Sequence, residues 1–495
     1  LEYSLSSTLP CPSRRTPFPL LLWTSSLTLL ATFIAGCGGS GGGGTGTTSS
    51  GNTQVVVLAS STANDQLSSF TTTLQRLTLT NQAGKTVNVL ASPVSEEFIH
   101  LNGHVEPIAT VSIPQDTYVS ASATYNGVAT PVCNAQVPGS LETDTLTGGA
   151  SETINLPNPV VVDGTAMGLV VDLNVSTYPE QCPTPTEFSS APAVTAAFDL
   201  TPLTIAAQPT NSTNGLALGL EGTIGSVGSG ATEITVNGLV NGQTPPTWHV
   251  SLNSNTVLQG ISGAAQLTVD VPVDMDVAIQ QDGSLVATRI SVISTETTTL
   301  TVASGPLMTV SAAAPVTYVI GAAQQGYLPT AINGFGYGNF GSSQFQASGQ
   351  FNNLASLPFT ATFNSAVMVP GQNVSVTTQA TASMPDPLYF PLTAIELRPQ
   401  TINGTVSAIS SEGGFTTYTV TLAPYDLFPQ FAVQPGQTTL LTNPNTVVVY
   451  SDSNTQMLNK SSLAAGNILR FYGLVFNDNG TLRMDCAQIN DGVSE

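Results

Sequence analysis

The sequence predicts an all-β protein: an N-terminal β-sandwich followed by about three small tandem β-barrel repeats. Three observations carry this. Short runs rich in Val, Thr, Ile and Tyr alternate with Gly, Pro and Asn-Gly breaks at a spacing of about ten residues, the strand-turn-strand signature. No segment beyond residue 51 shows a helical apolar period. The second half of the chain repeats the same landmarks in the same order. An apolar fraction of 41% in strand-like patterns argues against disorder. The length of 495 residues calls for several cores rather than one.

Taken in order, residues 1–36 read as an export signal. Arg14 and Arg15 precede an apolar stretch, Phe18 to Phe33, which runs into Ile34-Ala35-Gly36-Cys37. Cys37 after Ile34, Ala35 and Gly36 resembles the lipobox of bacterial lipoproteins. The resemblance implies a diacylglyceryl group on the Cys37 thiol, cleavage before it and acylation of the new amine. Gly38 after the cysteine implies transfer to the outer membrane. An ordinary secretory signal or a retained transmembrane helix is the alternative, although the stretch carries Pro19 and is short for a full span. At about 0.8 kcal/mol per buried CH2, several acyl chains would make release negligible. Residues 1–12 look foreign to the signal, and with Leu1 in place of Met the true start is expected further along the chain.

Residues 37–52 form a Gly/Ser/Thr spacer with a reach on the order of 20 Å. The sandwich is expected over 53–205. Its hairpin signature is clearest where Leu77-Thr-Leu-Thr-Asn-Gln-Ala-Gly84 leads into Lys85-Thr-Val-Asn-Val-Leu90. Cys133 and Cys182 lie in this region, and in an oxidising compartment a disulfide between them is favoured over two buried thiols. Such a bridge would close a loop of about 50 residues and contribute roughly 4 kcal/mol. Cys486 is then left over and reads as a small apolar residue inside a strand.

Barrel repeats are expected over 206–300, 301–400 (divergent) and 401–492. One copy opens Glu221-Gly222-Thr223-Ile224-Gly225-Ser226-Val227, another Asn403-Gly404-Thr405-Val406-Ser407-Ala408-Ile409. Each continues with an Asn-x-Asn-Thr-Val motif, at Asn253 and Asn443, and closes on a hairpin at Asp282-Gly283 or Asn479-Gly480. The middle copy has Ser348-Gly349-Gln350-Phe351, Val369-Pro370-Gly371-Gln372-Asn373-Val374 and Leu392-Thr393-Ala394-Ile395-Glu396-Leu397.

Residues 55–127, from Val55-Val56-Val57-Leu58-Ala59 to Ser112-Ile113-Pro114-Gln115-Asp116-Thr117-Tyr118, resemble bacterial domain of unknown function 4382, with Asp116 where that family has Gly. The Gly-Thr-Val opening and the Asn-Gly-Thr-Leu hairpin resemble domain of unknown function 5666. The arrangement is similar to surface lipoproteins of environmental bacteria such as acidobacteria. The resemblance implies a Sec-exported, lipid-anchored β protein and brings no catalytic residue.

The formal charge is −21 with only 9 Lys and Arg. That provides no footprint for nucleic acid and would repel anionic head groups, leaving the lipid as the membrane contact. Three histidines are present: His100, His104 and His249. His100, His104 and Glu106 could hold a metal across a hairpin turned at Asn102-Gly103, but a polar hairpin facing solvent is favoured. Asp270, Asp274, Asp276 and Asp282 invite a calcium reading, against which a solvated strand face is favoured; Asp274 and Asp276 share a face. Gly38-Gly39-Ser40-Gly41-Gly42 fits a serine-nucleophile pattern but lies in the spacer, without the strand-to-helix turn such a motif needs. Trp248, Phe335, Tyr337 and Phe340 are candidates to present rings to a sugar or another chain. No cofactor is expected. The reading is therefore an envelope binding or scaffold protein, outer-membrane or surface-exposed, without catalytic activity. A metal-dependent or serine hydrolase and a calcium-stabilised scaffold are the alternatives.

Overall fold

A computed structural model describes residues 51–62, 67–98, 100–101, 104–131, 144–145, 150–177, 195–239, 245–293, 300–311, 317–320, 324–325, 335–337, 344–351, 353–379, 392–422, 426–432, 440–458 and 463–492. Cys37 and its lipobox, the spacer through residue 50, Cys133, Cys182 and Phe340 lie outside the described residues, as do the side chains of Phe335 and Tyr337.

The protein is all-β, with several sheets and, among the described residues, only short helical segments such as Leu427–Ala432. No described helix is long and apolar enough to cross a membrane. Two sheets face each other at the N-terminal end. One runs Thr195–Leu203, Ala166–Thr177, Asn52–Ser61, Glu106–Pro114. The other runs Thr86–Asn88, Leu67–Asn81, Asp116–Pro131, Asp144–Thr145, with Val94–Glu97 added to Leu67–Asn81 and Ala150–Val162 to Asp116–Pro131. The hairpin at Gly84 forms as its sequence requires. Gly84 takes φ +79°, and the Gly84 N–H donates to the Asn81 carbonyl.

The first strand explains its unbroken apolar run. Val55, Val57 and Ala59 point into the sandwich core with Phe70, Leu79 and Tyr125. Val56 and Leu58 point the other way, into the core of the next unit with Leu220, Trp248 and Ile279. A strand buried on both faces reads as continuous Val and Leu rather than as alternation.

That next unit is a closed five-stranded barrel. Its path is Thr247–Ser251, Glu233–Gly238, Leu216–Val227, Pro272–Ile279, Leu285–Val292, and the parallel pairing of Val250 with Leu285 closes the ring. The C-terminal unit repeats the path with Thr446–Ser451, Phe415–Leu422, Gln400–Glu412, Ile468–Asp478 and Thr481–Asp491, closed where Val449 meets Met484. Between them Phe335–Tyr337, Thr317–Ile320, Leu300–Ser311, Asn373–Gln379 and Leu392–Leu397 follow the same order, without a closing pairing among the described residues. The short parallel strands Val257–Gln259, Gln344–Ala347 and Gln456–Met457 flank the last strand of each copy.

The matched openings carry matched geometry. A Cβ on Gly222 would lie 2.3 Å from the Asn237 carbonyl oxygen, and one on Gly404 2.5 Å from that of Thr421. The register shifts between Ile224 and Ser226 in one copy and between Val406 and Ala408 in the other, so both strands bulge at the same point.

The Asn-x-Asn-Thr correspondence needs correction. Asn253 follows the third strand of its barrel, whereas Asn443 precedes its own. The structural counterpart of Asn253 is Asp452. The Asn255 N–H donates to Asn253 Oδ1 and the Asn454 N–H to Asp452 Oδ1, each at 2.8 Å. Thr256 donates to the Ala287 carbonyl and Thr455 to that of Cys486, again each at 2.8 Å. Cys486 is a buried free thiol inside a strand, as its sequence context indicated.

Candidate functional site

The four units meet around one small pocket. It is lined by His100 and His104 from the sandwich, Gly219 and Glu221 from the first barrel, Ser304, Asn373 and Arg398 from the middle unit, and Tyr472 from the last barrel. It has room for a water or a bare ion and is too small for a sugar or an organic cofactor.

The segment from Glu96 to Glu106 enters this junction differently from the expected hairpin. Val94–Glu97 pairs antiparallel with Leu67–Asn81, whereas Glu106–Pro114 pairs with Asn52–Ser61. The segment therefore crosses between the two sheets, with Glu96, Glu97, His104 and Glu106 facing inward; the expected turn at Asn102-Gly103 lies outside the described residues. Glu96, Glu97, His104 and Glu106 are all buried, which overturns the solvent-facing expectation. Glu96, His100 and Glu106 each offer a ligand atom within 4.8 Å of the others, and Glu96 takes the place assigned to His104. His104 instead packs its ring on Tyr472, with centroids 4.7 Å apart.

Glu97 holds the cluster in place. Its Oε1 accepts from the Phe70 N–H at 2.7 Å, and its Oε2 accepts from the His100 N–H at 3.0 Å and lies 3.2 Å from His100 Nδ1. On the far side of the ring, Nε2 stands 3.4 Å from Glu106 Oε1. Burial, with Glu106 adding repulsion, pushes the Glu96 carboxyl well above its ordinary range. Burial alone would lower His100, but Glu106 and Glu97 hold the imidazole well above its ordinary value.

A second polar cluster adjoins the first. Arg289 donates Nε to Asp276 Oδ2 at 2.8 Å and Nη2 to Asp274 Oδ1 at 3.0 Å. Asp274 also accepts from Ser348 Oγ at 3.0 Å and pairs with Arg398 Nη1 at 2.7 Å. Ser304 donates to Glu221 Oε2 at 2.6 Å. Burial would raise Asp274, but Arg289 and Arg398 draw it down to about 2. Glu396, fully buried close to these charges, is pushed up to about 8 by desolvation.

These contacts correct the reading of the aspartates. Asp274 and Asp276 do share a face, but their oxygens are committed to arginines rather than to calcium or solvent. Asp270 is an exposed residue at φ +67°, and Asp282 caps its own turn by accepting from Ser284. Trp248 is also corrected as a ring presented to sugars. It is 2% exposed, and its indole N–H donates to the Pro107 carbonyl at 2.6 Å. Phe335 and Tyr337 fall in a strand paired to Thr317–Ile320 rather than in an open loop. Glu96 and Glu97 were missed as site residues, although two adjacent acids inside a strand-like run carried the signal.

No family model and no curated protein matches this chain. Among solved structures it is similar, at TM-score 0.12 and 9% identity, to a glycoside hydrolase of family 32 from Bifidobacterium adolescentis, over 88% of this chain and 67% of that one. A likeness at that level carries no argument about fold or activity.

Proposed function

We propose that this chain is a lipid-anchored protein of the bacterial cell envelope, held by acyl groups on Cys37, whose β-domains form a non-catalytic scaffold for contact with glycans, matrix or partner proteins. The observation that carries this reading is the placement of Asn52–Ser61. This strand begins directly after the Gly/Ser/Thr spacer and is buried on both faces, between the sandwich core and the first barrel core. A tether entering there transmits force into two cores at once, as a stalked surface protein requires.

Metabolic labelling with an alkynyl fatty acid, followed by mass spectrometry of the N-terminal peptide, tests the anchor. The expected result is a triacylated Cys37, recovery with outer membranes, and release of a Cys37→Ser variant into the soluble fraction. An unmodified thiol on a membrane-free mature chain would remove the anchor from the account. A glycan and matrix array with the delipidated protein then tests the binding role.

A further inference from the structure

We infer that Glu96, His100 and Glu106 form a binding site for one divalent first-row transition cation of the zinc or manganese type, which staples the two sheets of the sandwich together. The inference is independent of the anchor and of the scaffold role.

The donor atoms are already gathered. Two ligands that share an ion at about 2 Å stand roughly 3.5 Å apart, and His100 Nε2 lies 3.4 Å from Glu106 Oε1. The Glu96 ligand atom lies within 4.8 Å of both.

The imidazole is also held as a ligand would be. Glu97 Oε2 sits 3.2 Å from Nδ1, and with the proton on Nδ1 the Nε2 lone pair faces Glu106. A carboxylate behind the imidazole is the usual second partner of a metal-bound histidine, where it fixes tautomer and ring orientation. Glu97 is itself fixed by two backbone N–H groups, so this support is rigid.

The third observation is an unmet need. Glu96 is 3% exposed, its Oε1 accepts from the Glu97 N–H, and its Oε2 has no hydrogen-bond partner. Three buried carboxylates, Glu96, Glu97 and Glu106, surround one imidazole. A buried polar atom without a partner is costly, and a divalent cation would satisfy the free oxygen.

The donor set selects the class of ion. One nitrogen and two carboxylates suit zinc, manganese or iron(II). Calcium requires six to eight oxygens, and magnesium retains most of its water. His100 also lines the central pocket, which gives an ion or its water a route in. Because Glu96 lies in a strand of one sheet and Glu106 begins a strand of the other, the ion would cross-link the sandwich at the junction of all four units.

The test uses the full-length chain in detergent, without a histidine tag, stripped by chelator and equilibrated with zinc or manganese. One ion per chain is expected by elemental analysis, with a higher melting temperature that EDTA reverses. Glu96→Gln or His100→Gln should weaken binding at least tenfold. Glu97→Gln, which leaves all three ligands in place, should weaken it about 10- to 100-fold. Cobalt(II) in the wild-type chain keeps the test independent of variants that fail to fold. It should show visible bands of nitrogen and oxygen ligation without thiolate charge transfer. A folded wild-type chain that binds neither zinc nor manganese overturns the inference, as does binding unchanged in folded Glu96→Gln or a cobalt spectrum dominated by thiolate.

Discussion

Arg398 Nη1 stands 2.7 Å from Asp274 Oδ2, joining the segment after the last strand of the middle unit to the first barrel, with 7% and 0% of the two side chains exposed. The carboxylate also receives Arg289 and Ser348, so one aspartate ties together three points of the chain. Such a pair adds little net stability over an apolar substitute, but removing one partner strands the other charge. Asp274→Asn is therefore expected to cost about 3–5 kcal/mol in urea unfolding. Asp270→Asn, on the exposed turn nearby, should stay within about 0.5 kcal/mol. Equal effects at the two positions would mean that the junction does not carry the load assigned to it.

Trp248 gives a second check. In a chain lacking residues 1–36 it would be the only tryptophan, Trp23 being the other. Its burial and its hydrogen bond to Pro107 predict blue-shifted emission that resists acrylamide quenching and does not respond to added sugars. Trp248→Phe leaves the Pro107 carbonyl without that donor and should cost about 1–3 kcal/mol. Red-shifted, readily quenched emission from the folded chain would contradict this packing.

What the sequence disclosed follows from which patterns are local. Strand alternation and Asn-Gly turns are set by neighbours in the chain, and the all-β class with its repeated barrels was legible from them. The pairing of Asp274 with Asp276 on one face was legible as period-two geometry. Their arginine partners were not, because Arg289 and Arg398 lie 15 and 124 residues from Asp274 in the sequence. The segment from Glu96 to Glu106 looked like a hairpin because Asn102-Gly103 favours one. Which sheet each flanking strand joins is decided by tertiary pairing. The Asn443 motif misled for a related reason: an Asx turn recurs wherever a strand begins or ends, and only the hydrogen bond from Thr455 to the last strand reveals Asp452 as the true counterpart of Asn253.

The matched glycines Gly222 and Gly404 offer a paired experiment. A methyl group at Gly222 or Gly404 would press on a carbonyl oxygen of the adjacent strand. Alanine at either position should destabilise by about 1–3 kcal/mol, the usual range for overpacking. The exposed turn Gly84, where a Cβ would meet nothing within 4 Å, separates steric from conformational cost. There Ala is disfavoured only by the positive φ, at about 1 kcal/mol. Differential scanning calorimetry of the three variants should give Gly222→Ala and Gly404→Ala similar losses, both exceeding that of Gly84→Ala.

Stability should fall on both sides of an acidic optimum, and two carboxylates define the windows. Asp274 is depressed to about 2 in the folded chain, so its contribution is present above the ordinary value of 3.8 and is lost as pH drops toward 2. Asp485 behaves in the opposite sense. Burial, reinforced by Asp452, raises it to about 6. The folded state holds that proton more tightly than the unfolded chain, so the stabilisation is full below 3.8 and disappears as pH rises through 6. Asp485→Asn removes the ionisation and should raise stability at pH 7.5 by about 1–2 kcal/mol while changing little at pH 4. Urea titrations of wild type and variant at the two pH values check this directly. A gain of the same size at both would show that Asp485 does not titrate in this interval, and the pH dependence would then have to come from other buried acids such as Glu396.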